Sequence, residues 1–282
     1  MTILGSSDVC DLPALSLCDL KVALLQTSLH WHNPELNRHE LSAKLAKLKG
    51  EVDLVVLPEM FTSGFTAHPE TAGKSSETAD WMLNQARYLG AAVTGSIACK
   101  LDLDVNSHQL PDKKPLFVNR MLFATSAGEL FHYDKVHLFR MADEHKRYHA
   151  GDKKCIVELK GWRLLLTVCY DLRFPVFCRN RDDYDVMLCV ANWPESRRQH
   201  WRTLLEARAI ENQSYVIGVN RVGTDGNGLT YSGDSMAIDF LGNKLIDQAG
   251  EWLDVTTLNK QQQLDYRQQF PVWQDADDFS LT

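Results

Sequence analysis

Three residues of this 282-residue chain carry the functional groups that acyl transfer needs. Glu59 follows the apolar run at residues 54–58, and Cys169 follows the apolar run at 164–168. Lys135 stands in Tyr133-Asp134-Lys135-Val136-His137-Leu138, just past another strand-like segment. A thiolate attacks a carbonyl carbon. A carboxylate takes the thiol proton and later activates a water. An ammonium stabilises the oxyanion of the tetrahedral intermediate. In parallel α/β sheets the carboxyl ends of the strands form the ligand crevice, so three such residues at strand ends can converge there. Each also has an ordinary alternative: a solvated turn for Glu59, a surface charge for Lys135, a core thiol for Cys169. Spacing alone leaves both readings open.

The elements that must position these residues follow from apolar periodicity. Residues 20–25 form the first apolar run of strand length. The pattern predicts a helix over about 36–48, with Leu41, Leu45 and Leu48 on one face and Gly50 as its stop. A strand of the doubly covered kind is expected at 53–57. Ser75 and Ser76 are candidate caps for a helix reaching Leu89, closed by Gly90. Strands are expected at 91–98, 116–125 and 129–133, with a polar loop at 100–114 and a turn at Ala127-Gly128. Residues 135–152 read as irregular.

Buried strands at 163–168 and 184–190 come next. A helix over 196–212 directs Trp201, Leu204, Leu205 and Ala209 inward. Strands at 215–220 and 230–239 flank a turn-rich stretch. A strand near 252–258, a polar helix over 259–270 and an acidic tail close the chain. Strands and helices alternate without a visible repeat or linker. The expected organisation is a loose N-terminal extension over 1–19 and a single α/β domain over 20–282.

Composition narrows the function classes. Hydrophobic residues at 44% and charged residues at 24% fit an ordinary globular protein and argue against long disorder. A net charge of -7 repels phosphate backbones, so no nucleic-acid partner is expected. No apolar run approaches the roughly 20 residues that cross a bilayer, so no membrane partner is expected. The first twenty residues lack Lys and Arg, which argues against a secretory signal and for the cytoplasm. Seven cysteines without a C-x-x-C pair suggest reduced thiols. The G-x-S-x-G elbow, the P-loop and the dinucleotide-binding glycine pattern are missing. His145 and His149 do not fit H-E-x-x-H, and no metal or cofactor is expected.

Four strings weight the odds towards chemistry: Leu57-Pro58-Glu59-Met60-Phe61, Asp134-Lys135-Val136-His137-Leu138-Phe139, Cys169-Tyr170-Asp171-Leu172-Arg173-Phe174-Pro175 and Ala207-Arg208-Ala209-Ile210-Glu211-Asn212-Gln213. Together, and in this order, they resemble the carbon–nitrogen hydrolases of the nitrilase superfamily over roughly residues 20–275. The resemblance implies a four-layer α-β-β-α sandwich, often dimerised, and a homodimer or higher homo-oligomer is expected. It implies Glu59 as general base, Cys169 as nucleophile and Lys135 as oxyanion stabiliser with the backbone N–H of Tyr170. Glu144 matches the family's supporting glutamate, with a surface salt bridge as the alternative. A free thiol is mostly protonated at neutral pH, and a neighbouring Lys135 would favour thiolate.

Within the superfamily, the cysteine string resembles the amidase branch that contains ω-amidases and the amidases of deaminated glutathione. Val176 stands where many relatives have Glu after the proline. That departure and the tail Phe270-Pro271-Val272-Trp273 look most like bacterial ω-amidases, which hydrolyse the terminal amide of 2-oxoglutaramate or 2-oxosuccinamate. Arg173 is then the candidate for the substrate carboxylate, with an ion pair to Asp171 as its alternative. Phe61 and Trp193 are candidate pocket walls, with aromatic core packing as theirs. The competing functions are a deaminated-glutathione amidase, an N-carbamoyl hydrolase, and a catalytically silent binding or scaffold protein.

Overall fold

Alternate side chains of the first strand enter two different cores, and this alternation sets the architecture. In β1 (Leu20–Gln26), Leu20, Val22 and Leu24 enter an apolar layer shared with the second half of the chain, whereas Ala23 and Leu25 meet helices. The structure, a computed structural model, describes residues 18–101, 116–277 and 279–280. The expected extension, apart from residues 18–19, and most of the expected 100–114 loop lie outside the described residues.

Asn33 caps α1 (Pro34–Leu45), accepting from Leu36 N at 3.1 Å. The helix tightens into a 3-10 turn at Ala46–Leu48, so its α-helical part ends before the predicted Leu48. β2 (Leu54–Val56), α2 (Ser75–Leu89) and β3 (Ala92–Lys100) follow, and β1, β2 and β3 run parallel. Ser75 and Ser76 lie inside the first turn of α2, and Lys74 occupies the cap position, so the expected serine caps do not form. β4 (Phe117–Ala124) and β5 (Leu130–Asp134) add antiparallel strands.

β6 (Cys155–Leu159) pairs antiparallel with β7 (Trp162–Val168). After α3 (Pro175–Cys178) come β8 (Val186–Ala191), α4 (Arg198–Asn212) and β9 (Tyr215–Asn220), with β7, β8 and β9 parallel. β10 (Val222–Thr224) and β11 (Thr230–Ser232) make a separate hairpin. β12 (Met236–Ile238) and β13 (Lys244–Asp247) extend the sheet from β9. β14 (Trp252–Leu258) returns to pair with β1, and α5 (Lys260–Gln269) follows.

The sheet orders are β14-β1-β2-β3-β4-β5 and β13-β12-β9-β8-β7-β6. Both follow one plan: three parallel strands, two antiparallel strands at one edge and one at the other. The sequence shows no matching residue repeat, because a strand order constrains burial pattern rather than identity. α1 and α2 cover the first sheet. α4 covers the second, so closely that a Cβ on Gly218 of β9 would lie 2.5 Å from Leu205. The layers make the α-β-β-α sandwich. Among the described residues, no helix is long and apolar enough to cross a membrane.

The strand expected at 230–239 is two strands in different sheets. Gly233 and Asp234, at φ 75° and 53°, turn the chain between them. A side chain on Gly233 would meet the Gln26 amide at 2.3 Å.

The lower end of the second sheet is fixed by buried Asp185. It accepts from Arg163 N and NH2, both at 2.9 Å, from Lys260 Nζ, and from Arg267 NH1 at 3.3 Å. Burial would raise its carboxyl, but hydrogen bonds from Arg163 and Lys260 outweigh that and hold it at about 2. An unfolded aspartate titrates near 3.9. The contribution, on the order of 2–3 kcal/mol, is therefore full above about pH 4 and lost as pH falls through 2. Asp185→Ala removes the carboxylate shared by three cations, leaving Arg163 and Arg267 only their longer carboxylate contacts to Asp182, and is expected to cost about 3–5 kcal/mol in urea unfolding. A variant with unchanged stability at pH 7 would remove this anchor from the account.

Candidate active site

Each reactive residue leaves the end of a strand. Past β2, Leu57 and Pro58 carry the chain to Glu59, and Met60 turns it at φ 43°. Lys135 is the first residue after β5, and its amide donates to Asn119 O at 2.9 Å, continuing the ladder with β4. Cys169 ends β7 and opens a 3-10 turn, Cys169–Arg173, with its own φ at 49°. A non-glycine residue in that region is strained and must be held by its surroundings.

Asp171 does the holding. Its Oδ2 accepts from Val168 N at 2.9 Å and from Tyr133 OH of β5 at 2.8 Å. Its Oδ1 accepts from His137 N at 3.0 Å and lies 2.8 Å from His137 Nδ1. One buried carboxylate thus ties the Cys169 turn of the second sheet to the Lys135 strand of the first. It has no bond to Arg173, so the alternative ion pair for that arginine is not formed.

Lys135 is fully buried between two carboxylates. Its Nζ donates to Glu59 Oε1 at 3.1 Å and to Glu144 Oε1 and Oε2 at 3.1 and 3.0 Å. Asn119 donates from Nδ2 to Glu59 Oε1 at 2.7 Å and to Glu144 Oε1 at 3.3 Å. Glu144 also accepts from Phe139 N at 2.6 Å. From the second sheet, Asn192 N donates to Glu59 Oε2 at 2.7 Å and Asn192 Nδ2 to Glu59 O at 2.6 Å. Glu144 is therefore part of the cluster rather than a surface salt bridge.

The cluster meets a cavity of about 150 Å³ whose wall includes Lys135, Glu144, Cys169, Tyr170, Arg173 and Trp193. Glu59 stands behind Lys135, close enough for both charges to act on the thiol. Phe61 is not on this wall. It lies wholly in the core beneath α2, tilted against Trp81 at 5.7 Å, because it leaves the Met60 turn towards the helix side. Phe65 takes the place expected for it, with its ring centroid 5.5 Å from Lys135 Nζ.

Charge counting explains the electrostatics. Burial lowers Lys135, but Glu144 and then Glu59 overcome this and raise it well above the usual lysine value. Burial raises Glu144, and the Glu59 charge adds to it against Lys135 and the Phe139 amide. The Cys169 thiol is pushed well up, first by burial and then by Glu59, with Lys135 opposing. The net effect on the thiol is upward, because burial and the Glu59 carboxylate together outweigh the Lys135 ammonium. Lys135 does favour the thiolate, as expected, and the net direction, which the sequence left open, is set by burial and Glu59.

Sequence reasoning missed Asn119 and Asn192, which bind Glu59 from the two sheets. It also missed Arg197 on the cavity wall. Asn192 stands at the end of an apolar run, as Glu59 and Cys169 do, and that position was its available signal.

Glu, Lys and Cys meet at strand ends on a doubled α-β-β-α frame, and the chain belongs to the carbon–nitrogen hydrolase family, whose model matches residues 21–269. It is 45% identical over 273 residues to omega-amidase YafV of Escherichia coli strain K12, covering 93% of this chain and 98% of that protein. It is 30% identical to the 2-oxoglutaramate amidase of Bacillus subtilis, covering 90% and 96%. Among solved structures, XC1258 of Xanthomonas campestris, a CN-hydrolase superfamily protein with an arsenic adduct in its active site, matches with a TM-score of 0.87 at 46% identity, covering 94% of this chain and all of that one. The chain is thus a hydrolase of amides.

Asp171→Asn keeps the shape but sets an amide against the Val168 and His137 N–H donors. It is expected to cost about 2–4 kcal/mol of stability. It should also lower kcat about 100-fold through a displaced thiol. Denaturant titration and steady-state kinetics read both effects, and wild-type kcat in the folded variant would contradict this bracing role.

Proposed function

We propose that this enzyme is an ω-amidase that hydrolyses the terminal amide of small 2-oxo acids, such as 2-oxoglutaramate and 2-oxosuccinamate, to the dicarboxylate and ammonia. The observation that carries the reading is the buried Glu59–Lys135–Glu144 cluster meeting Cys169 at a small cavity with Arg173 on its wall. A volume of about 150 Å³ suits a few-carbon acid amide better than a tripeptide-sized deaminated glutathione, since drug-sized ligands take roughly 300–1,000 Å³. The similarity to YafV and to the 2-oxoglutaramate amidase supports the same substrate class.

The reaction starts from the neutral thiol. Cys169 Sγ attacks the amide carbon as its proton passes to Glu59, which avoids a free thiolate beside two carboxylates. Protonated Glu59 is a poorer acceptor, so Lys135 Nζ can turn an N–H to the new oxyanion. The Tyr170 N–H, at the start of the 3-10 turn where no carbonyl of the turn can reach it, is the second donor. Collapse breaks the carbon–nitrogen bond, and Glu59 returns its proton to the departing nitrogen. Water, deprotonated by Glu59, then attacks the thioester, and the thiol leaves with that proton. Glu144 holds Lys135 in place, and Arg173 takes the substrate carboxylate.

The enzyme acts in the cytoplasm, where a free thiol nucleophile stays reduced. It works as a homodimer. Ile210 on the outer side of α4 is exposed beside the turn at Gly242, and Phe270 is exposed beyond α5, which leaves apolar surface for a second copy.

Cys169→Ala is expected to abolish ammonia release from 2-oxoglutaramate. Glu59→Gln is expected to slow acyl-enzyme formation by about 100-fold or more in rapid-quench mass spectrometry. Wild-type burst formation in Glu59→Gln would exclude it as the base. Ammonia release measured across 2-oxoglutaramate, deaminated glutathione and N-carbamoyl amino acids should favour the first. A higher kcat/KM on either of the others would replace the proposed substrate.

A further inference from the structure

We infer that Arg197 and Arg173 act as a pair that selects the 2-oxo acid amide over the corresponding amino acid amide. The inference rests on the substrate class proposed above and adds the residues that set its specificity. Trp193 carries both arginines. The Arg173 guanidinium carbon lies 4.7 Å from the Trp193 ring centroid, and Arg173 NH2 donates to His200 Nδ1 at 3.0 Å. Trp193 Nε1 donates to Arg197 O at 2.9 Å, and the Arg197 guanidinium stands 5.4 Å over Phe139. Aromatic shelves and a backbone anchor hold both cations on the cavity wall before substrate arrives.

Neither cation has a carboxylate partner among the described residues. The two acids on the cavity wall are engaged elsewhere. Glu144 serves Lys135, Asn119 and the Phe139 amide, while Asp225 accepts from Asn227 N, Leu229 N and Tyr231 OH. The neighbouring arginines contrast with this. Arg198 and Arg202 share Asp234, and Arg208 pairs with Glu211. Burial lowers Arg173 from its usual value, and the Arg197 charge lowers it further. Two like charges kept together without an anion form a site for one.

A carboxylate neutralises the pair. The group next to that carboxylate then decides specificity. A 2-oxo oxygen accepts a guanidinium N–H. An α-ammonium adds positive charge to a wall that already holds Arg147, Arg173 and Arg197, where neither wall acid is available to receive it, which disfavours glutamine by about 100-fold or more. The selection is negative as well as positive, because the amino acid is refused by repulsion rather than by size.

Four substrates of similar length read this out: 2-oxoglutaramate, glutamine, glutaramate, which lacks the α-substituent, and valeramide, which also lacks the carboxylate. Wild-type enzyme should prefer 2-oxoglutaramate over glutamine by about 100-fold or more in kcat/KM. Arg197→Met should lose about 10- to 100-fold on 2-oxoglutaramate and glutaramate, chiefly through KM, and a smaller factor on valeramide. Arg197→Glu should shrink the preference over glutamine at least about tenfold, and Arg197→Lys should keep it. Arg197 is half-exposed at a helix start, and Arg173→Met provides a second variant with the same expected pattern. An unchanged preference in Arg197→Met and Arg197→Glu would overturn the inference, as would equal losses on valeramide and the keto acid. With the wild-type preference intact, those results leave the ω-amidase reading standing. A wild type that favours glutamine would bring down both.

Discussion

One buried ammonium between two carboxylates sets the terms for the rest of the site. Lys135 has no solvent, so its charge exists only because Glu59 and Glu144 surround it. The carboxylates in turn outnumber it, and their excess charge is spread over the Asn119 amide and the backbone N–H groups of Asn192 and Phe139. Such a group is costly to assemble and strongly dependent on geometry, since removing one partner leaves an uncompensated charge. Its benefit is chemical. The Cys169 thiol beside it is pushed up by burial and then by Glu59, with Lys135 opposing, and in the proposed mechanism the cluster would supply an acceptor for the thiol proton at the moment of attack.

That cluster exists only if two sheets meet in one register. Glu59 and Lys135 belong to the first sheet, and Cys169 and Asn192 to the second. The inter-sheet core supplies the contact, but apolar packing is non-directional and does not fix side-chain positions to tenths of an ångström. Two polar ties do. Asn192 grips both the carboxylate and the carbonyl of Glu59. Asp171 grips the cysteine turn, Tyr133 and His137 together. The shared strand plan of the two sheets explains why this works: Glu59, Cys169 and Asn192 follow parallel strands, and Lys135 follows β5, which two antiparallel pairings turn to run in the same direction as β3.

What the sequence disclosed follows the same physics. Glu59, Lys135 and Cys169 stood out because each is a polar residue that closes a strand-like segment, and because the strings around them are shared across a family. The parallel strands were legible from their continuous apolar runs. β6, β10 and β13 were not, since Cys155–Leu159, Val222–Thr224 and Lys244–Asp247 are edge or hairpin strands with exposed residues and weak alternation. Phe61 was misplaced because a positive φ at Met60 redirects the chain, and no periodicity reports a single left-handed residue. Asn119 was hidden inside a predicted strand, where one polar residue among apolar neighbours usually faces solvent. The paired state of Arg173 depended on what Asp171 does, and that is settled by Tyr133 and His137, far away in sequence.

The cavity also has a polarity that serves both ends of a reaction cycle. Its wall carries Glu144 beside Lys135 and Cys169, with Glu59 behind them, and it also carries Arg173 and Arg197, which have no carboxylate partner among the described residues. On the proposed reading, these charges would orient a substrate with a neutral amide and a distant carboxylate, since reversal would set its carboxylate against the two glutamates. Hydrolysis then creates a second carboxylate at the chemical end. The product differs from the substrate by a charge placed against Glu59 and Glu144, where like charges in a site of low effective dielectric repel strongly. On the proposed reading, the arrangement that orients the amide would also disfavour retention of the acid.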